Sequence, residues 1–259
     1  HCVGSWFESR GVGVIHEWKP SPHYRNYGDA LGELVIEALD LDEHSMRESK
    51  QTLYFPIGSV IQNLNVKPLI QKGITPVFMA CGWYGEELDS RLMARGVFIG
   101  ARGPDTVAAL ERAGVEGVQV TGDSAYMAFD YLAIDAPIER VDKLLIPHVL
   151  DMRVNVRTDV SALGLDRVIL PRVITRGDII KLTTTIAHAE FVLAGAMHTA
   201  IAAHAHGTPF APFSEKYWKD QKSRVKWEDW LESVGVPREK LRFVSDYDEG
   251  MEWYSEVFG

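Results

Sequence analysis

Residues 190–213, EFVLAGAMHTAIAAHAHGTPFAPF, constrain the fold more than any other stretch of this chain. A short apolar run, Phe191-Val192-Leu193, gives way to Ala194-Gly195-Ala196, where small residues permit a tight turn. Small residues from about Met197 to Ala205 then favour a helix, which Gly207 and Pro209 end. A second apolar run, Phe210–Phe213, follows at once. Strand, turn, helix and strand in this order predict a βαβ unit, and with it a parallel sheet. His198 falls where the predicted helix begins. Ligands of open parallel sheets bind outside the carboxyl ends of the strands, and the free N–H groups of a helix start favour anions. His198 is therefore expected to face a ligand crevice beside an anion-friendly helix end.

The same rhythm runs through the chain. Val12–Trp18 is the first expected strand, followed by an irregular loop over Lys19–Gly28 containing Pro20 and Pro22. Leu31, Leu34, Val35, Ala38 and Leu39 recur at helical spacing, with Asp29 placed as the N-cap. Asn26, Gly28 and Asp29 thus stand either at a second ligand edge or simply in a turn and cap, whose usual residue types they are. Leu53–Ile57 and Thr75–Ala80 read as strands running into Gly58-Ser59 and Gly82-Trp83. A strand at Gly96–Gly100 meets Arg102-Gly103-Pro104-Asp105, with Pro104 suited to a first helical position and Gly114 to the helix end. Arg102 before a helix start suits a phosphate or carboxylate, or else a surface salt bridge. A strand near Gly117–Val120 ends in Thr121-Gly122-Asp123-Ser124.

The turn-rich segment Asp130–Asp142 reads as a connection, after which the rhythm restarts. Lys143–Pro147 is a strand ending at His148, Arg167–Leu170 another, and Asp178 starts a helix through His188. After the organising unit come a charged stretch over Ser214–Trp227, a helix at Glu228–Val234, a strand at Leu241–Ser245 and a last helix at Asp248–Val257. About five strands per half, alternating with helices, predict an α/β protein of two Rossmann-like domains with a cleft between them. We place the boundary between residues 135 and 136, with the last helix able to pack back on the first domain.

Composition narrows the function. A net charge of −9 over 259 residues argues against a nucleic-acid binder and leaves an anionic small molecule possible through a local cationic cluster. No run approaches the ~20 apolar residues of a bilayer span, and no signal peptide heads the chain. His1 in place of a methionine leads us to expect trimming or a tag remnant there. Cys2 and Cys81 form no motif and read as reduced cytoplasmic thiols. Four histidines lie between 188 and 206, yet His198, His204 and His206 point in different directions on a helix, and the i,i+4 spacing of a helical zinc motif is missing. His204 and His206 suit packing or surface positions. GxGxxG after the first strand, a P-loop and GxSxG are all absent.

Taken in order, the strand-end pieces resemble the polysaccharide pyruvyl transferase family. They are Asn26-Tyr27-Gly28-Asp29-Ala30-Leu31, Ile57-Gly58-Ser59, Arg102-Gly103-Pro104-Asp105-Thr106, Gly122-Asp123-Ser124-Ala125, Pro147-His148, Ala196-Met197-His198-Thr199-Ala200-Ile201 and Lys226-Trp227-Glu228-Asp229-Trp230. The Met-His and Lys-Trp-x-Asp-Trp pieces resemble the exopolysaccharide ketal-pyruvate transferase branch. The resemblance implies a glycosyltransferase-B-like fold of two facing Rossmann-like domains, the first (1–135) on the acceptor side and the second (136–259) on the donor side. It also implies transfer of pyruvate from phosphoenolpyruvate, as co-substrate, to two hydroxyls of a sugar, giving a ketal and phosphate. No metal or other cofactor is implied.

Site roles follow as implications of the resemblance. His198 would be the catalytic acid, since the donor's methylene carbon must be protonated. Arg102, His148 and Lys226 would bind the donor anion, and Asn26 and Asp29 would hold or activate the sugar hydroxyls. Partners would be phosphoenolpyruvate and a sugar or lipid-linked oligosaccharide, with cytoplasmic location and peripheral membrane association but no nucleic acid. One departure stands out: many relatives carry arginine two residues before the histidine, where this chain has Ala196. Arg153, Arg172 and Arg176 are available to replace it. Alternatives are a glycosyltransferase using a nucleotide sugar, with Glu190 or Glu215 on the ribose, and an inactive glycan-binding relative. Tyr27, Trp83, Tyr84 and Trp218 could stack on a sugar or serve packing.

Overall fold

The computed structural model describes residues 5–7, 14–17, 23–40, 52–151, 157–213 and 221–259. Cys2, Pro20, Pro22, Arg153, Glu215 and Trp218 lie outside these residues. The described elements of the first half are β1 (Ser5–Phe7), β2 (Val14–Glu17), β3 (Arg25–Asn26), α1 (Tyr27–Ala30), α2 (Gly32–Ala38), β4 (Thr52–Phe55) and α3 (Asn63–Gln71). There follow β5 (Thr75–Met79), α4 (Ser90–Met93), β6 (Val97–Ile99), α5 (Pro104–Arg112) and α6 (Ala125–Leu132). The second half contributes β7 (Val141–Ile146), β8 (Arg167–Val168), β9 (Arg172–Val173), α7 (Arg176–His188) and β10 (Ala189–Ala194). It ends with α8 (Met197–Ala205), β11 (Phe210–Pro212), α9 (Gln221–Ser233) and α10 (Tyr247–Phe258).

These elements make a mixed α/β protein with two largely parallel sheets. One has the order β1-β2-β4-β5-β6, parallel except at its β1 edge. The other has the order β11-β10-β7-β8 and is parallel throughout. The organising unit forms as expected: β10 and β11 pair in parallel with α8 as their crossover, and Leu193 stands opposite Ala211. A parallel strand covered on both faces needs apolar side chains on both, which explains why Phe191 through Ala194 are all buried.

Each sheet has its own apolar cluster. In the first, Phe55 and Phe78 stack at 4.7 Å between ring centres and Phe78 and Phe98 at 5.1 Å, with Leu53, Leu69, Met93 and Leu110 around them. The larger cluster of the second sheet also takes in Tyr27, Leu31, Leu34, Val35, Ala128 and Phe129, so α1, α2 and α6 share its core. The chain start is stitched to this region by β3, which pairs antiparallel with β9 so that Asn26 faces Arg172. Tyr27 adds two ties: its N–H donates to Pro171 at 3.0 Å, and its hydroxyl meets that of Thr183 at 2.8 Å. Tyr27 is thereby a core residue rather than a platform for a sugar ring.

Several expectations are corrected. Asp29 is not an N-cap: the helix starts one turn earlier behind Asn26, and Asp29 lies in its first turn. The strands expected at Gly117–Val120 and Leu241–Ser245 reduce to single bridges, Ala101 to Val120 and Phe213 to Val244. Gly117 turns the chain with φ of +79°, leaving no length for a ladder at the first of them. Helices α3 and α6 went unforeseen, α3 because Pro68 interrupts its pattern. The last helix lies on the second sheet, with Trp253 and Phe258 against Phe210 and Tyr247 against Phe191. The element that returns to the first half is α9, seven residues longer at its start than expected. No helix among the described residues is long and apolar enough to cross a membrane.

The return of α9 depends on Gly103. A Cβ there would collide with the backbone carbonyl of Asp229, an atom that cannot swing aside. Gly103→Ala should therefore lower stability by ~1–3 kcal/mol, as overpacking does, and loosen α9. Thermal unfolding of the variant checks this, and an unchanged melting temperature contradicts the packing described.

Candidate active site

The carboxyl ends of strands from both sheets bring their following loops together. Behind the Ala101–Val120 bridge lies Asp123, buried, with Oδ1 accepting from the N–H of Ala125 at 3.0 Å. That bond fixes the carboxylate at the first turn of α6 and leaves Oδ2 pointing elsewhere. Across from it, β10 ends at Ala194, Ala196 stands extended before α8, and His198 comes in the first turn. Oδ2 of Asp123 and Nε2 of His198 lie 3.8 Å apart, with side chains 1% and 13% exposed. Both atoms are buried, and neither has a hydrogen bond among the described residues. A carboxylate and an imidazole nitrogen thus face one another slightly beyond bonding distance.

On the other side of the imidazole, Gly28 of α1 lies beside the Nδ1 edge. A Cβ at Gly28 would fall on the His198 ring, so only glycine lets this segment lie there. The same turn carries Asn26 and Asp29, whose side chains join through Nδ2 donating to Oδ2 at 2.5 Å. Of this turn, Gly28 is the residue that lies against His198.

Arg102 is enclosed completely. Its Nε donates to Oδ2 of Asp229 at 3.1 Å, Nη2 lies 3.1 Å from the same oxygen, and Nη1 donates to Ser59 Oγ at 2.6 Å. Nη2 is close enough for charge attraction but its hydrogens are poorly aligned on Asp229. Asp229 also accepts from the N–H of Thr106 at 3.0 Å and its hydroxyl at 2.7 Å, which caps α5 from a distant part of the chain. One turn before Asp229 on α9 stands Lys226, near enough to His148 and His198 for its charge to act on both.

Electrostatics make both histidines neutral in the free site. Burial, with Lys226 adding to it against the pull of Asp151, drives His148 down to about 3. His148 thus offers a hydrogen bond rather than the positive charge expected of it, and its Nδ1 accepts from Leu150 N–H at 3.2 Å. His198 is lowered first by burial; Asp123 opposes this, while Arg102 and Lys226 add to it. A group held neutral beside two cations is one that an arriving anion would protonate.

Other residues fall elsewhere. Arg176 is at the surface, paired with Glu37 at 3.0 Å. Arg172 lies opposite Asn26 with its guanidinium 4.8 Å from the Tyr24 ring centre. Glu190, proposed for a ribose, sits at the amino end of β10, 3.5 Å from Lys143 and at the far end from His198. Half-buried Trp83 follows β5, its indole N–H on the Glu86 carbonyl at 2.6 Å. His204 accepts or donates at 2.9 Å to the Tyr126 hydroxyl within an aromatic cluster. Among the described residues no set of three His, Cys, Asp or Glu is arranged around a common metal position. Asp123, Asp229 and Ser59 were not chosen from sequence as site residues, although all three fall inside the motifs.

The profile of the family described as Polysaccharide pyruvyl transferase matches residues 49–217. A crystal structure of a functionally uncharacterised protein from Klebsiella pneumoniae is similar over 83% of this chain and 88% of that one, at 17% identity and a TM-score of 0.49. No curated protein matches the chain.

Two outcomes are expected of the site as built. The unfolded chain takes up protons on its histidines below pH ~6.5, whereas folded His148 stays neutral down to about 3. Stability should thus fall on acidification across that window, and less steeply in His148→Gln, as urea unfolding between pH 7 and 4 would read. Gly28→Ala should displace the His198 ring and lower stability by ~1–3 kcal/mol, as overpacking does, moving the His198 resonances in a histidine-selective NMR spectrum.

Proposed function

The chain belongs to the polysaccharide pyruvyl transferase family, and we propose that it moves pyruvate from phosphoenolpyruvate onto two hydroxyls of one sugar, forming a ketal and releasing phosphate. Membership supports an enzyme of pyruvyl transfer acting on a polysaccharide. The observation that carries the finer reading is the setting of His198: faced by Asp123, and lowered first by burial and further by the nearby charges of Arg102 and Lys226.

The chemistry runs as follows. The donor carries a carboxylate and a phosphate, so it binds where positive charge and hydrogen-bond donors converge. Lys226 and His148 contact it directly, one as a cation and one as a neutral partner. Arg102, held by Asp229 and Ser59, contributes its positive field and the hydrogens of Nη2. Donor charge offsets the two cations, His198 regains basicity and takes up a proton. His198 then protonates the methylene carbon while an acceptor hydroxyl bonds to the neighbouring carbon and loses its own proton. Phosphate departs with its bonding pair, and the second hydroxyl bonds to the same carbon and gives its proton to the departing phosphate, closing the ketal. Asn26 and Asp29, in the same turn as Gly28, orient the two hydroxyls. The reaction so written needs phosphoenolpyruvate as co-substrate and no metal or other cofactor.

The two sheets would constitute two facing Rossmann-like domains, glycosyltransferase-B-like, divided at residues 135 and 136, with the acceptor on the first side and the donor on the second. The acceptor would be a sugar or lipid-linked oligosaccharide precursor of exopolysaccharide, met in the cytoplasm at the membrane surface.

Phosphate release from phosphoenolpyruvate with a panel of glycan acceptors tests the reaction. Acceptor-dependent release is expected, falling at least ~100-fold in His198→Asn and losing donor affinity in Lys226→Met. Donor binding should also take up close to one proton, read by calorimetry in buffers of different ionisation enthalpy, and this uptake should vanish in His198→Asn. Absence of both release and donor binding would exclude the donor and turn attention to nucleotide sugars.

A further inference from the structure

We propose that Asp123 is a positioning residue that holds the His198 ring with its proton on Nε2, leaving Nδ1 as the nitrogen that exchanges a proton with substrate. The assignment rests on the pyruvyl-transfer reading only for what receives that proton.

Geometry separates the two nitrogens of the ring. Nε2 points to Asp123, 3.8 Å from Oδ2, and both atoms are buried without another hydrogen bond among the described residues. An ionised carboxylate accepts hydrogen bonds and donates none, so the nitrogen facing it is stable only as N–H. The opposite tautomer would set the Nε2 lone pair against the lone pairs of Oδ2 inside a buried site, where such opposition is strongest. The carboxylate cannot turn away freely, because its other oxygen is held by Ala125 N–H at 3.0 Å. Nδ1 is therefore left as the basic atom. It lies on the Gly28 side, where an added Cβ would come within 2.2 Å of it and glycine leaves the edge clear of a side chain.

The pair is also slightly open. At 3.8 Å it is too long for a strong hydrogen bond and can shorten when the ring becomes charged. Charged groups near His198 are Asp123, Arg102 and Lys226. The anionic donor offsets the cations, Nδ1 takes a proton from water, and the imidazolium closes onto Asp123 through Nε2–H. Nδ1–H then passes to the donor's methylene carbon, whose π pair forms the new C–H bond as the acceptor oxygen bonds to the adjacent carbon. The hydroxyl proton goes to water, and the ring returns to its neutral Nε2–H form. A fixed tautomer is what positions a histidine for repeated one-directional transfer.

The test uses the whole chain labelled with 15N-histidine, in wild type, Asp123→Asn, Asp123→Glu and Gly28→Ala. In wild type at neutral pH the His198 ring should show protonated Nε2 and unprotonated Nδ1. Asp123→Asn should lower the His198 titration midpoint further and mix the tautomers, with melting temperature little changed, and Asp123→Glu should restore part of the preference. In turnover with phosphoenolpyruvate and an active glycan, Asp123→Asn should reduce kcat by ~10- to 100-fold, with KM for phosphoenolpyruvate changed less than about threefold. A wild-type ring carrying its proton on Nδ1, or an unaltered His198 titration in Asp123→Asn, overturns the proposal. Should wild type release no phosphate with any acceptor, the reaction reading fails while the tautomer and titration still decide the role of Asp123.

Discussion

The buried contact between Arg102 and Asp229 is what the rest of the site depends on. Both side chains are almost fully enclosed, with 0% and 1% of their surface exposed. Removing two charges from water is costly, and a pair of this kind adds little net stability over apolar residues of the same volume. Losing one partner is another matter, at about 3–5 kcal/mol for the charge left behind. The contact therefore acts less as a source of stability than as a penalty on any other arrangement. Asp229 also caps α5 through Thr106, while Arg102 reaches Ser59 after β4. One carboxylate on α9 thus gathers two loops of the first sheet and sets Lys226, one turn away, beside the histidines of the second.

From this follows a division of labour among the positive groups that composition cannot show. Net charge is −9, so an anion must be bound by local arrangement alone. Arg102 is charge-matched within the protein, and its influence on a ligand is a steady field and one poorly aligned amine. His148, sunk in the protein and pressed by Lys226, carries no charge at neutral pH. His198 is likewise held neutral by burial, with Asp123 opposing that and Arg102 and Lys226 adding to it. Of these three groups, Arg102 follows a first-sheet strand and is matched by Asp229, while the two histidines of the second sheet are both held neutral, each with its own carboxylate opposing.

Much of the fold was legible because its signals are local. The apolar run at Phe191, the small residues around Gly195 and the helix to Ala205 are decided within a few residues, and they form as expected. Pro104 likewise marks a real helix start, and the helix expected from Asp178 begins two residues earlier, at Arg176 behind Thr175. What was not legible is decided by distant partners. Asp29 reads as a cap until β3 pairs with β9 and Asn26 takes that place. The helix α9 begins seven residues earlier than its apolar spacing suggests, since its polar start gives no periodic signal. At the site, His198 and Arg102 could be picked out by their strand-end positions, whereas Asp123 and Asp229 act through contacts 75 and 127 positions away along the chain. No periodicity encodes such contacts.

The two glycines in contact with this machinery explain why the pieces can meet at all. Loops from opposite sheets each bring a backbone, and two backbones with side chains between them cannot approach closely enough to share a buried carboxylate. At Gly103 the missing Cβ admits the Asp229 carbonyl, and at Gly28 it admits the ring of His198. The first close approach builds the ionic clamp; the second seats the imidazole against the start of α1. Neither glycine needs a positive φ, so conformational freedom is not what selects it. Space is, and a methyl group at either position would part the two halves of the site at a different seam: at Gly103 the cationic wall from its helix, at Gly28 the histidine from the start of α1.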